Sequence, residues 1–213
     1  MECRGECSTS DKAMTTDGEK EIISHGHAVE ISEELRKLTM GAHALVLYPD
    51  LLTLRELYSF YAKSALADSE IVHIIPYLET VDNVKRILSE DRVNINVRKY
   101  EKEQSLLIMD SLKGYFGLQE GLLPFITQTE DFAKRSGKSL SVLSDIGSFF
   151  YYDKKDDLLQ YEMALPSKYE KMNLKGFCAY HLIDFEKRFS EKERHNLIKH
   201  HGKTLILLSS NDN

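Results

Sequence analysis

The sequence contains no tryptophan, three cysteines and four prolines among its 213 residues. An odd number of cysteines at irregular spacing argues against a disulfide framework and is typical of a reducing compartment. The sequence also lacks a run of about 20 apolar residues, the length that a membrane-spanning helix requires. Residues 1–20 are polar and contain no apolar signal region. We therefore expect a cytoplasmic protein that does not associate with a membrane.

Basic residues are fewer than acidic ones, which argues against a general nucleic-acid-binding role. Lys and Arg number 28 and Asp and Glu number 34, so the formal net charge is -6, whereas phosphate binding requires a concentrated basic surface. The length suffices for one domain with a continuous apolar core. We predict a flexible polar leader at residues 1–24, a single α/β domain at residues 25–213, and no nucleic-acid partner.

Short apolar runs alternate with helical patterns along the chain. Runs typical of strands buried on both faces occupy residues 43–48, 71–75, 106–109, 140–143, 176–180 and 204–208. A further extended piece is predicted at residues 95–98. Helical patterns occupy residues 30–38, 51–61, 80–89, 118–135, 154–165 and 190–199. This alternation predicts a three-layer α/β fold, with a mostly parallel central sheet and helices on both faces.

A phosphate-binding loop is absent after the first predicted strand. Tyr48, Pro49 and Asp50 form that turn, which contains neither glycine nor lysine. Residues 137–139 read Gly-Lys-Ser, but Phe132 stands where the first glycine of the motif belongs, and a strand follows where a helix should. We therefore predict no nucleotide cofactor, and no other cofactor.

Polar side chains follow most of the predicted strands. Because ligands of parallel sheets bind beyond the carboxyl ends of the strands, these side chains are candidates for a ligand-binding crevice. Glu162 lies on a largely apolar helix, so it either faces solvent or points inward towards a partner. The predicted ligand-binding residues are Tyr48, Asp50, Tyr77, Asp110, Asp145, Ser148, Glu162, Tyr180 and His181.

Catalytic arrangements are less well supported. Cys178 lies within a predicted strand, and His181, three residues later, would face the opposite side at about 10 Å. Asp110 and Asp145 could form an acid–base pair if their strands are neighbours, although each carboxylate could equally cap the next helix. We predict a protein that is not an enzyme.

The sequence contains two close pairs of histidines, His25 with His27 and His200 with His201. Cys3, Cys7, His25 and His27 could supply four zinc ligands, but their spacing is not that of a familiar zinc finger. His200 and its neighbour His201 are expected at a helix C-terminus, where the helix dipole favours positive charge. We predict no metal site.

The order of the segments is distinctive as a whole. HALVLYPD (residues 43–50) is followed much later by SLSVLSDIGSFFYYDKKDDLLQYEMALP (residues 139–166) and by GFCAYHLIDFEKRFSEKERHNLIKHHGKTLIL (residues 176–207). This order resembles the MEDS domain, the methanogen/methylotroph, DcmR-type sensory domain. The matching positions are His43, Tyr48, Tyr161, Glu162, Cys178, Tyr180, Arg188, Phe189, Ser190 and His200 or His201.

The resemblance implies a KaiC/RecA-like fold without its phosphate-binding loop. It also implies a sensor of small ligands, hydrocarbon-derived compounds among them. We therefore expect a stand-alone sensory domain that binds a small organic ligand in the strand-end crevice and relays its state to a signalling partner, a kinase or regulator. One alternative is an adaptor or scaffold that acts through its surface or as a homodimer. The other is a hydrolase or transferase that uses strand-end carboxylates.

Overall fold

The computed structural model of the chain describes residues 22–119, 121–169 and 172–209. Within these ranges, seven strands form one sheet whose paired strands are all parallel, in the order β1-β7-β2-β6-β5-β3-β4. The strands are β1 (Ile22–Gly26), β2 (His43–Tyr48), β3 (Ile71–Ile75), β4 (Leu106–Ile108), β5 (Leu140–Asp145), β6 (Leu174–His181) and β7 (Lys203–Leu207). The predicted α/β class with a parallel central sheet is confirmed.

The same part of the chain contains nine α-helices and one π-helical turn (Lys113–Gly117). The helices are α1 (Ala28–Lys37), α2 (Leu51–Ala67), α3 (Val81–Ser89), α4 (Val97–Lys102), α5 (Leu122–Arg135), α6 (Ser148–Tyr151), α7 (Lys155–Ala164), α8 (Leu182–Arg188) and α9 (Glu191–His201). Among these helices, none has both the length and the apolar character needed to cross a bilayer.

The two faces of the sheet are covered by different helices. Along β2, Ala44, Val46 and Tyr48 pack with α1 to α4, whereas Leu45 and Leu47 pack on the side covered by α6 to α9. Helix α5 covers the same second face above β3 and β5. Because successive strand residues point to opposite faces, an apolar run serves both layers at once. The predicted three-layer arrangement is confirmed.

Two segments differ from the sequence-based prediction. Residues 95–98 were predicted as extended, but Val97 begins α4, and the side chain of Asn96 caps this helix by accepting a hydrogen bond from the Lys99 amide at 3.0 Å. Strand β1 was not predicted, and it begins three residues before the expected domain boundary at residue 25. It lies at the sheet edge, where Ile22 and Ile23 are exposed. Residues 1–21 of the predicted leader lie outside the described residues.

The pairing of β2 with β6 positions the residues discussed below. In this parallel register His43 is opposite Gly176, Leu45 is opposite Cys178, and Tyr48 is opposite His181. His43 and Cys178 therefore point to the face covered by α5 to α9. Tyr48 points to the other face, at the carboxyl end of its strand.

The packing of α2 on the sheet leads to a direct test. Leu57 is fully buried and Leu52, on the same helix, is 42% exposed. Leu57→Ala should lower the free energy of unfolding by about 2–5 kcal/mol, because it removes buried methyl groups and leaves a cavity. Leu52→Ala should change it by less than about 0.5 kcal/mol. Urea denaturation measures both values, and equal effects would contradict the orientation of α2.

Candidate functional site

The carboxyl ends of β2, β5 and β6 bring together three of the predicted residues. Tyr48 donates a hydrogen bond to the buried carboxylate of Asp145 at 3.1 Å, and the ring of His181 lies 5.5 Å from the Tyr48 ring. The second oxygen of Asp145 accepts a hydrogen bond from the Gly147 amide at 3.0 Å. His181 Nε2 lies 3.1 Å from the carbonyl oxygen of Pro49. The polar groups of Tyr48, Asp145 and His181 therefore have hydrogen-bond partners within the chain.

Little space remains beside this strand-end group. The crevice lined by Tyr77 and Asp145 has a volume of about 10 Å³, which is room for about one water molecule. Tyr77 packs so closely on Gly147 that a Cβ atom there would lie 2.5 Å from its ring. A small organic ligand could therefore bind at this position only if Tyr77 moved.

Three further predicted residues have local roles or stand alone. Asp50 caps α2 by accepting a hydrogen bond from the Thr53 amide at 2.8 Å, and Asp110 accepts one from the Lys113 amide at 3.0 Å. Ser148 is fully buried, and its hydroxyl has no hydrogen-bond partner among the described residues. Since β3 lies between β4 and β5, the strands that carry Asp110 and Asp145 are not neighbours. The structure does not form the carboxylate pair that the sequence left open.

The remaining two predicted residues, Glu162 and Tyr180, lie on the face covered by α5 to α9. Glu162, on α7, is fully buried and points inward. Its Oε1 accepts a hydrogen bond from the Tyr180 hydroxyl at 2.9 Å, and its Oε2 lies 3.2 Å from Nε2 of His201, at the end of α9. The open question about this side chain is thus resolved in favour of the inward orientation.

Two more side chains complete this group. Nε2 of His43 lies 3.3 Å from Sγ of Cys178, and the ring centroids of His43 and His201 are 4.2 Å apart. One nitrogen, oxygen or sulfur atom from each of His43, Glu162, Cys178 and His201 lies within 4.8 Å of the others. All four side chains are buried. We call these four residues the buried polar cluster; they come from β2, α7, β6 and α9.

Backbone carbonyl groups fix the orientation of both histidines. Nδ1 of His43 lies 3.1 Å from the carbonyl oxygen of Pro166, and Nδ1 of His201 lies 2.7 Å from that of Leu197. A carbonyl oxygen can only accept, so Nδ1 carries the hydrogen in each ring. In the neutral form, Nε2 of each histidine therefore presents a lone pair to the centre of the cluster.

Burial controls the protonation of the cluster. It lowers the pKa of His43 to about 3, with a further contribution from His201. It raises the pKa of the Cys178 thiol well above its ordinary value, and the neighbouring Glu162 carboxylate acts in the same direction. Burial also acts to raise the pKa of Glu162, but the contacts with His201, His43 and Tyr180 outweigh it and bring this pKa below the ordinary value. Burial therefore disfavours the charged forms of both the Cys178 thiol and the His43 ring.

Sequence reasoning missed the cluster as a unit. The histidine nearest to Cys178 in the sequence is His181, three residues away, whereas the histidine that contacts Cys178 in the fold is His43, which is 135 residues distant. His201 lies at the C-terminus of α9, as expected, but its side chain is buried and reaches the cluster. The available signals were an isolated histidine at the start of an otherwise apolar strand and the positions named by the family resemblance. The four zinc ligands that the sequence offered are not part of this cluster. His25 lies on β1 and His27 precedes α1, and Cys3 and Cys7 lie outside the described residues.

An apolar cavity of about 150 Å³ lies beside Cys178 on the same face of the sheet. Its lining includes Leu122, Ile126, Val142, Leu165, Tyr169 and Leu174. Gly176 allows Tyr169 to close one wall, because a Cβ atom at residue 176 would lie 2.9 Å from the Tyr169 ring. The polar side chains of the wall include Ser144 and Tyr115, whose hydroxyl groups are hydrogen bonded to each other. The sequence did not predict this cavity.

Comparisons with protein-family models, with curated proteins and with solved structures find no match to this chain. The resemblance to the MEDS domain therefore stays a prediction. Conclusions about function depend on the strand-end group, the buried polar cluster and the cavity.

Asp145 should make the stability of the fold depend on pH. Burial raises its pKa from 3.8 to about 6, against the opposing hydrogen bonds from Gly147 and Tyr48. Because the folded chain keeps this proton to higher pH than the unfolded chain does, the stabilisation is complete below the unfolded pKa and is lost as the pH rises through about 6. The free energy of unfolding of the wild type, relative to Asp145→Asn, should fall by up to about 3 kcal/mol between roughly pH 4 and pH 7.5.

Urea denaturation across that pH range measures the effect. Tyr48→Phe is the matched variant, because it removes a hydrogen bond to the carboxylate. Without this hydrogen bond the pKa of Asp145 should be higher than in the wild type. The fall in the free energy of unfolding with rising pH should therefore extend to higher pH in Tyr48→Phe. Parallel pH profiles for the wild type and Asp145→Asn would contradict this account of the strand-end group.

Proposed function

We propose that this chain is a sensory domain that binds a small, largely apolar organic ligand in the cavity beside Cys178 and relays its ligand state to a partner protein. The observation that carries the proposal is the cavity of about 150 Å³ with an apolar lining. An apolar cavity of about this volume in another protein binds benzene or xenon. Small-molecule sites are typically concave and mostly apolar, with a few polar groups that fix the orientation of the ligand. Ser144 and Tyr115 are suited to that second role.

One segment connects the cavity to the rest of the fold. Leu165, Pro166 and Tyr169 line the cavity. The Pro166 carbonyl accepts a hydrogen bond from His43, and the Tyr169 ring lies 5.2 Å from the His43 ring. The Tyr169 amide also donates to the carbonyl oxygen of Gly41 at 2.7 Å. A ligand that shifts this segment therefore acts on the start of β2, which is the route we propose for relaying the ligand state.

A second candidate function, an adaptor or homodimer, is favoured by the strand-end surface. Large apolar side chains that follow the ends of β2, β3, β5 and β6 are exposed there: Leu52, Leu78, Tyr151, Tyr152 and Ile183. The carboxyl ends of parallel strands meet at one edge of the sheet, so these side chains lie near that edge, where the rings of Tyr151 and Tyr152 contact each other. Apolar surfaces of this kind mark protein interaction sites. If the chain is a sensory domain, this surface would be the binding site for its partner protein.

Thermal unfolding with benzene, toluene and indole tests ligand binding in the cavity. We expect at least one of these compounds to raise the unfolding temperature of the wild type, since a ligand at about 100 times its Kd stabilises a fold by about 2.7 kcal/mol. Ile126→Phe should abolish the response, because the larger side chain fills part of the cavity. The matched control is Ile183→Phe, at a position that is 47% exposed, and it should keep the wild-type response.

Two outcomes would contradict this site assignment. A response that persists unchanged in Ile126→Phe would place the ligand elsewhere, and its loss in Tyr48→Phe would place it in the strand-end crevice. An absence of response to all three compounds would count against the sensory function.

Sedimentation measurements test the second candidate function. If the strand-end surface joins two copies of the chain, Tyr151→Ser combined with Ile183→Ser should increase the fraction of monomer, whereas Ile126→Phe should leave it unchanged. A monomeric wild type at the highest soluble concentration would exclude the homodimer.

A further inference from the structure

We propose that the buried polar cluster binds one zinc ion. The four ligand atoms are Nε2 of His43, Oε2 of Glu162, Sγ of Cys178 and Nε2 of His201. This inference rests on the geometry of the cluster and does not depend on the proposed function. The same four residues link β2, β6, α7 and α9, so the metal would join two strands to two helices of the layer that covers them.

His43, His201 and Glu162 each have a second polar atom, and that atom forms a hydrogen bond with a group outside the cluster. His43 and His201 donate from Nδ1 to the carbonyl oxygens of Pro166 and Leu197. Glu162 accepts at Oε1 from the hydroxyl of Tyr180. Hydrogen bonds of this kind orient metal-binding histidines and carboxylates in proteins and fix the histidine tautomer. Three lone pairs are therefore directed towards one another and towards the sulfur atom of Cys178.

Hydrogen bonding within the cluster pairs Nε2 of His43 with Sγ of Cys178, but it does not satisfy Glu162 Oε2 or His201 Nε2. Glu162 Oε2 and His201 Nε2 are 3.2 Å apart. Even so, neither atom has a hydrogen bond of acceptable geometry among the described residues. A buried polar group without a partner costs about 1–3 kcal/mol. A cation between the two atoms would satisfy both, since each can offer a lone pair to the metal.

The distances and the chemistry of the ligands suit zinc. Zinc bonds of about 2.0–2.3 Å place tetrahedral ligand atoms roughly 3.3–3.7 Å apart. Two contacts in the cluster, of 3.2 and 3.3 Å, already match this spacing, and no separation exceeds 4.8 Å, so the most distant ligand atoms would approach by about 1 Å on zinc binding. Two imidazoles, one thiolate and one carboxylate are ligands that zinc prefers, whereas Mg²⁺ and Ca²⁺ require oxygen ligands.

The charge of the complex suits its buried position. One thiolate and one carboxylate balance the two positive charges of the zinc ion, so the complex is neutral, which avoids the cost of burying a net charge. Four protein ligands complete the tetrahedron and leave no open position for substrate. The site is therefore structural, and zinc binding should release the Cys178 proton and stabilise the fold.

A cobalt experiment identifies the thiol that binds the metal. The chain has three cysteines, so in Cys3→Ser/Cys7→Ser the only thiol is Cys178. We expect this variant to bind one equivalent of zinc by elemental analysis. We also expect its cobalt-substituted form to show a thiolate-to-cobalt charge-transfer band and the intense visible bands of tetrahedral cobalt. Loss of zinc binding in this variant would place the site at Cys3 and Cys7, and bound metal without the charge-transfer band would exclude Cys178 as a ligand.

Ligand variants of the full chain provide a second test. Cys178→Ser and His201→Gln should weaken zinc binding by more than about 100-fold. Tyr180→Phe should weaken it by about 10- to 100-fold and retain the charge-transfer band, as expected for a residue that only orients a ligand. The control is His73→Gln, because His73 is also fully buried, but it lies on β3, outside the cluster. It should keep full zinc binding.

Circular dichroism shows which variants are folded. If Cys178→Ser does not fold, the cobalt spectrum of Cys3→Ser/Cys7→Ser decides the question, because that variant keeps all four proposed ligands. Stoichiometric zinc in a folded Cys178→Ser protein would overturn the proposal. So would a wild-type protein that binds no zinc at micromolar concentration.

Discussion

The parallel pairing of β2 with β6 determines which side chains meet on each face of the sheet. Its register sets His43 opposite Gly176 and Tyr48 opposite His181, and the alternation of side chains along each strand then assigns these residues to opposite faces of the sheet. One face receives the buried polar cluster and the apolar cavity. The other receives the hydrogen bond from Tyr48 to Asp145, at the end of the strands. A shift of this register by one residue would exchange the two faces and dismantle both groups.

The two groups differ in what they can do. At the strand ends, Asp145 is hydrogen bonded by Tyr48 and by the Gly147 amide, and a crevice of about 10 Å³ remains. On the opposite face, the cluster has lone pairs directed inward, and a cavity of about 150 Å³ lies next to Cys178. The usual position of ligands in parallel sheets is thus tightly packed here, while the apolar cavity and the unsatisfied atoms of Glu162 and His201 lie beneath α5, α7 and α9. This contrast is why we locate the proposed function on that face.

The fold class could be predicted because a strand buried on both faces reads as a continuous apolar run, and all six such runs contain a strand. Strand β1 escaped detection because it lies at an edge, with Ile22 and Ile23 exposed, and has no such run. Residues 95–98 were assigned wrongly because Ile95 and Val97 are buried two residues apart, as in a strand, although Asn96 caps a helix that begins at Val97. The cluster could not be assembled from sequence, because His43 and Cys178 meet only through a strand order that local patterns do not determine. The resemblance to the MEDS domain included the four residues of the cluster, but it did not indicate that they contact one another.

X-ray absorption spectroscopy on the zinc-loaded protein tests most directly whether the β2–β6 register creates a metal centre. The account predicts a four-coordinate shell with one sulfur at about 2.3 Å and three nitrogen or oxygen atoms at about 2.0–2.1 Å. Cys3→Ser/Cys7→Ser should give the same shell, because Cys178 supplies the sulfur. A shell of nitrogen and oxygen alone in that variant would show that Cys178 and His43 do not share a metal, and it would contradict the account.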